Sequence, residues 1–170
     1  MPMIRSMEDI IRDAKTLGEL DLEQRELIGY ASDAMQNAYE PYSRFTVGAA
    51  IRCLDDTIIT GVNVENAAYP STLCAERGAI MHAYAHGKRT FSSIAIIGQG
   101  AHYEATDPVG PCGGCRQMIY EASEVSGTDI EILMSNSRYD TIYVSSISEL
   151  LPLPFGPSDL GIDVTQYRAR

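Results

Sequence analysis

Three cysteines that must meet at one point constrain this chain more than any of its hydrophobic runs. Cys74-Ala75-Glu76 stands mid-chain, and Pro111-Cys112-Gly113-Gly114-Cys115 follows it. Cys112 and Cys115 sit three apart. At the start of a helix that spacing aims both sulfurs at one point, a common grip on zinc. Cys74 completes three protein ligands, the number that leaves a fourth position for water at a catalytic zinc. Any fold of this chain must therefore carry Cys74 to the Cys112–Cys115 turn.

Glu76 lies two residues beyond a ligand, near enough to reach a bound water without ligating the metal. Zinc lowers the pKa of such a water toward about 7. Attack on an amidine-like carbon then requires protons at a ring nitrogen and at the departing amine. One carboxylate can take the water's proton and return it, so Glu76 suffices as the shuttle. The pattern resembles the signature of zinc-dependent base deamination, in which the first ligand is His or Cys. Three thiolates leave the zinc site at a net charge of −1, which weakens the metal as a Lewis acid. Cys74 and Cys115 fall near predicted helix N-termini, whose partial positive charge stabilises thiolates. Arg77 and Arg116 follow the ligands closely and are candidates to hydrogen-bond sulfur.

The remaining metal-binding side chains have plainer readings. Cys53 falls on the same strand face as Ile51 and reads as a small buried apolar group. His82 and His86 are four apart on one helix. No glutamate sits beside His82, as a metalloprotease motif requires. His102 is a loop residue with no evident partner. The 170 residues fit one domain, with residues 1–20 as a helical extension and 21–170 as a single catalytic domain. The formal charge of −10 argues against a nucleic-acid partner, because backbone binding needs Lys and Arg to displace counterions. No stretch approaches a membrane span. Acids at Glu8, Asp9 and Asp13 are unlike a targeting segment, so a cytoplasmic protein is expected. In that compartment clustered cysteines more often mean metal or catalysis than disulfides.

Periodicity supplies the frame. Met3, Ile4, Met7, Ile10, Ile11, Ala14 and Leu17 recur at helical spacing up to Gly18. Asp21 and Gln24 form a capping box for a second helix with an apolar face from Leu27 to Ala38, ended by Pro41. Strands are predicted over Thr46 to Leu54 and Thr57 to Val64, joined at Asp55-Asp56. A helix follows from about Cys74 to Ala85, stopped by Gly87. Phe91 to Gly98 reads as a buried strand, and a loop runs from Ala101 to Pro111. A helix opens at Gly113, and Asp129 to Met134 and Thr141 to Val144 are late strands. A proline-rich, extended tail from Leu151 to Leu160 precedes a short turn. This order predicts an α/β fold, a three-layer α/β/α sandwich on one mixed sheet of about five strands.

Five segments carry a resemblance to a known family: Pro41 to Ala50, Gly61 to Pro70, Cys74 to Arg77, Pro111 to Gln117 and Leu150 to Pro157. From about Leu22 to about Leu160 the chain resembles the small, homotetrameric class of zinc-dependent cytidine deaminases. The resemblance implies the cytidine deaminase-like fold and pyrimidine salvage by deamination of cytidine and 2′-deoxycytidine. It implies Zn²⁺ on Cys74, Cys112 and Cys115, Glu76 as shuttle and Arg77 as the partner of the thiolates. It also implies Asn63 and Glu65 on the sugar hydroxyls, the latter contact at the 3′ position. Phe45 and Ala75 are implied against the nucleoside, and Phe155 on the base of a neighbouring subunit, so that active sites are shared within a homotetramer. Those roles are chemically sensible, since a neutral ring needs aromatic walls and a sugar hydroxyl an amide or carboxylate. The stretch before Leu22 lies beyond that resemblance and reads as a packing or assembly element. Three rival readings are weighed against it. A deaminase of another cytosine-bearing small molecule such as a nucleoside antibiotic is disfavoured by the Asn63 to Tyr69 segment, and a nucleic-acid deaminase by the net charge. A structural zinc module using all four cysteines requires Cys53 to reach the metal and leaves Glu76 without a role.

Overall fold

A computed structural model describes residues 5–102 and 104–168. Its centre is one mixed sheet of five strands: β1 (Phe45–Cys53), β2 (Ile58–Val62), β3 (Phe91–Gly100), β4 (Glu131–Ser135) and β5 (Ile142–Ser146), in the order β2-β1-β3-β4-β5. The β3/β4 pair is parallel and the others are antiparallel. Helix α1 is Met7–Arg12, α2 is Leu22–Met35, α3 is Ala75–Ala85, α4 is Gly113–Ser126 and α5 is Ile147–Leu150.

Strand alternation sorts the core into two layers. Ala50, Ala95, Ile97 and Leu133 face α2, meeting Leu27, Ile28 and Ala31. Ala49, Ile51, Ile94, Ile96, Ile132 and Met134 point the other way, toward Ala75, Ala79 and Ile80 of α3 and Ile119 and Ala122 of α4. The sandwich is therefore α2, sheet, then α3 with α4. Cys53 belongs to the second layer and is 2% exposed, as a small apolar side chain would be. Gly61 lets β2 touch α3 directly: a Cβ there would stand 2.2 Å from the Ala79 amide nitrogen and 2.5 Å from the Ala75 carbonyl oxygen. That close approach fixes the first turn of α3 over the end of β2.

The register brings several chain ends to one edge. Phe45, where β1 begins, pairs with Gly100, where β3 ends, and Gly48 pairs with Val62 at the end of β2. The cysteine turns lie beyond this edge, past the C-terminal ends of the parallel pair, where open α/β sheets place ligands.

Two helices differ from the periodicity. The Asp21–Gln24 capping box forms, but α2 ends at Met35, well before Pro41, in a turn at Gln36 and Asn37. The first helix covers only Met7–Arg12, and Met3 and Ile4 lie outside the described residues. Lys15 leaves the helical path to exchange both backbone hydrogen bonds with Ile142, at 2.9 and 2.7 Å. β5 is an edge strand, and satisfying its peptide groups outweighs the local helical pattern. Arg5 completes the attachment with bonds of 2.8 and 2.9 Å to the Glu149 carboxylate. No helix among the described residues is long and apolar enough to cross a membrane.

Candidate active site

The cysteine cluster is assembled by two helix N-termini. Cys74 is the N-cap of α3 and Cys112 the N-cap of α4, with Cys115 in its first turn. Their sulfurs all lie within 4.8 Å of one another, and those of Cys112 and Cys115 are 3.4 Å apart. A tetrahedral zinc with Zn–S bonds of about 2.3 Å holds its sulfurs roughly 3.8 Å apart, so the three thiols fit that ion. Cys53 is absent from the cluster, and all four cysteines are free. A structural module built on four sulfurs is thereby ruled out.

One thiol of the cluster, that of Cys74, is biased toward the anion before any metal enters. The Cys74 thiol is held down at about 5, first by a hydrogen bond from Cys115 and then by the Arg77 guanidinium, against burial. The proton stays with the fully buried Cys115, whose thiol is pushed up by its bond to Cys74 and by burial. Arg77 donates through Nη2 to Cys74 Sγ at 3.5 Å and to the Thr72 carbonyl at 3.1 Å, which aims its charge at the cluster.

Arg116 corrects the sequence reading. Its guanidinium does not take sulfur; Nε donates to the Pro111 carbonyl at 3.0 Å and Nη1 to the Leu150 carbonyl at 3.1 Å. Leu150 is the last residue of α5, and such terminal carbonyls lack a helical partner.

Val47, Asn63, Thr72, Leu73, Cys74, Ala75, Glu76, Val109, Gly110 and Cys112 surround a cavity of about 190 Å³. Glu76 is 4% exposed. Burial, followed by the neighbouring Cys74 thiolate, pushes its carboxyl above the ordinary value. Asn63 is clamped to β1, its Oδ1 accepting from the Val47 amide and its Nδ2 donating to the Phe45 carbonyl, both at 2.8 Å. Glu65 is 5% exposed, and its Oε2 accepts from the amides of Tyr42 and Ser43 at 2.9 and 3.1 Å. Burial pushes this carboxyl up, but the Ser43 hydroxyl and the two amides outweigh it and hold it below its usual value.

Phe45 is half-buried, and its ring lies over Gly98, where a Cβ would come within 2.7 Å of the ring and 3.1 Å of Val109. Gly98 thus makes room for Phe45 beside a wall of the cavity. Phe155 stands apart, 62% exposed, lining a separate hollow with Gln117 and Leu160. Val47, Val109 and Gly110 are wall residues that sequence reasoning passed over. Adjacency of Val109 and Gly110 to Pro111-Cys112 was the only available signal, and Val47 needed the strand register. His102, without a partner in the sequence, meets the Arg44 guanidinium at 3.2 Å.

Residues 22–127 match the family model described as "Cytidine and deoxycytidylate deaminase zinc-binding region". Cytidine deaminase of Halalkalibacterium halodurans is 40% identical over 139 residues, 82% of this chain and 98% of that protein. The crystal structure of cytidine deaminase from Burkholderia pseudomallei superposes with a TM-score of 0.69 at 40% identity, covering 76% of this chain and 97% of that one. The enzyme from Mycobacterium tuberculosis gives 0.64 at 34% identity, covering 80% and 99%. Family match and thiol cluster agree on zinc as the cofactor. Sequence, fold and the meeting of the three cysteines thus lead to one conclusion: this chain belongs to the cytidine and deoxycytidylate deaminase family.

Proposed function

We propose that this chain hydrolyses cytidine and 2′-deoxycytidine to uridine and 2′-deoxyuridine, consuming one water and releasing one ammonia. The observation that carries the reading is the junction of three thiols, mutually within 4.8 Å, with a buried carboxylate on one cavity wall. Cys74, Cys112 and Cys115 hold the zinc. When bound, zinc supplies a Lewis acid that makes water more acidic. Glu76 takes one proton from the attacking water and passes it to the ring nitrogen; it then takes the second, from the newly added hydroxyl, and gives it to the amine, which leaves as ammonia while the carbonyl forms. Its buried position supports this role, because burial raises the carboxyl's affinity for the proton it must take up and pass on. Arg77 offsets the excess negative charge of the thiolates.

Asn63 and Glu65 orient the sugar, with Phe45 and Ala75 against the nucleoside. The exposed Phe155 covers the base in a neighbouring subunit's cleft, so activity belongs to a homotetramer. Residues 21–170 form the catalytic domain in this reading, with residues 1–20 appended to it. The free thiols suit a reducing cytoplasm. Ammonia release measured across cytidine, 2′-deoxycytidine, cytosine and cytidine 5′-phosphate tests the substrate class. Both nucleosides should react, and the base and the nucleotide should be poor. Cytosine turned over as readily as cytidine would defeat the reading.

A further inference from the structure

The first turn of α4 has a second task that its cysteines do not explain. Arg116 and Gln117 directly follow the ligand Cys115, and both side chains reach the same downstream segment. Arg116 joins the carbonyl of Pro111, the residue before ligand Cys112, to the carbonyl of Leu150, where α5 ends. Gln117 donates through Nε2 to the Phe155 carbonyl at 2.6 Å. Tyr120, one turn further on, fills the space over Gly156, where a Cβ would come within 2.5 Å of its ring. The segment from Leu150 to Gly156 is therefore pinned to α4 at its start, at Phe155 and at its end.

The side chains between these pins are free of that attachment. Leu153 is 93% exposed and Phe155 is 62% exposed. Two prolines, Pro152 and Pro154, stiffen the stretch further by fixing φ. An aromatic ring left in water on a backbone held so firmly is arranged for contact outside its own fold, because preorganised groups lose little entropy on docking.

We propose that Arg116 and Gln117 are positioning residues that use the metal-binding turn of α4 to set Phe155 for the neighbouring subunit's cleft. One short turn would then serve two active sites, the zinc centre of its own chain and the base-covering wall of another. This inference rests on the reading that Phe155 covers a neighbour's substrate. The two residues divide the work. Arg116 grips the ligand loop and the start of the segment together, whereas Gln117 touches only the Phe155 end.

The chain has no tryptophan, so Phe155→Trp provides a single fluorescent reporter at the segment itself. In the assembled, zinc-loaded protein, Gln117→Leu should lower the anisotropy of that reporter without altering sedimentation. In the otherwise native chain, Gln117→Leu should raise KM for cytidine roughly 3–10-fold, the range for one lost hydrogen bond, while kcat stays within about twofold. Gln117→Lys, which restores a donor, should recover part of the loss. Arg116→Lys keeps the charge but cannot span two carbonyls with one ammonium. It should raise KM and also speed the loss of zinc to a chelator, which Gln117→Leu should not do. Gln117→Leu added to Phe155→Ala should raise KM no further. Unchanged anisotropy and KM in Gln117→Leu would overturn the positioning role, as would a fall in kcat matching the rise in KM. If Phe155→Ala itself leaves KM unchanged, the neighbouring-cleft reading fails instead, and anisotropy and zinc release still judge whether the turn holds the segment.

Discussion

Removing the 3′ hydroxyl of the substrate is the sharpest probe of how Asn63 and Glu65 work. A site whose polar groups are left wholly unpaired can reject an analogue by on the order of 10⁴–10⁵-fold. Here the penalty should be smaller. Glu65 Oε2 already accepts from the amides of Tyr42 and Ser43, so a missing hydroxyl leaves the carboxylate still bonded. Asn63 has its oxygen on the Val47 amide and one amide hydrogen on the Phe45 carbonyl. What is lost is one hydrogen bond to a charged group, worth roughly 10–10²-fold, with a lesser share from the asparagine. The expected fall in kcat/KM from cytidine to 3′-deoxycytidine is therefore about 10²–10³-fold. 2′-Deoxycytidine should stay close to cytidine. Loss of cytidine absorbance under matched conditions measures all three. Glu65→Gln should fall between, because the amide oxygen can take the Tyr42 and Ser43 donors while its nitrogen offers the sugar a different bond. Equal kcat/KM for cytidine and 3′-deoxycytidine would refute the proposed sugar-reading role, since a fixed carboxylate that bonds that hydroxyl must discriminate.

Other expectations follow from the same geometry. Glu76→Gln should retain zinc and lose on the order of 10⁴-fold in kcat, the upper end for a proton-transfer group because one residue makes several transfers; near-normal turnover of the zinc-loaded variant removes the shuttle role. X-ray absorption should find three sulfurs and one light atom on zinc, and four sulfurs would bring Cys53 back into question. Glu149 is held at about 2, first by the Arg5 guanidinium and with help from Ser145 and Ser146, against burial. Its carboxylate is depressed relative to the unfolded value, so its stabilisation is complete above about 4.5 and vanishes as pH falls toward 2. The Tm difference between the native chain and Glu149→Gln should shrink over that window, and a constant difference would show that the ion pair is not its source.

The sequence by itself determined the chemistry. Cys74, Glu76, Cys112 and Cys115 are short-range motifs whose spacing reflects the geometry of one turn of helix, which a linear chain displays directly. The capping box at Asp21 and the alternation that buries Cys53 beside Ile51 were readable for the same reason, since both are local periodicities. Tertiary structure decided whatever depends on a partner far along the chain. Lys15 abandoned its helical pattern because Ile142, on an unpaired strand edge, needed its peptide groups. Arg116 passed over the nearby sulfurs because α5 placed an unsatisfied carbonyl within reach at Leu150. Val47 became a wall of the cavity through the register that sets β1 against the end of β2. The pinning of Phe155 by Gln117 joins residues 38 positions apart, a distance that no local pattern encodes and only the packed fold can close.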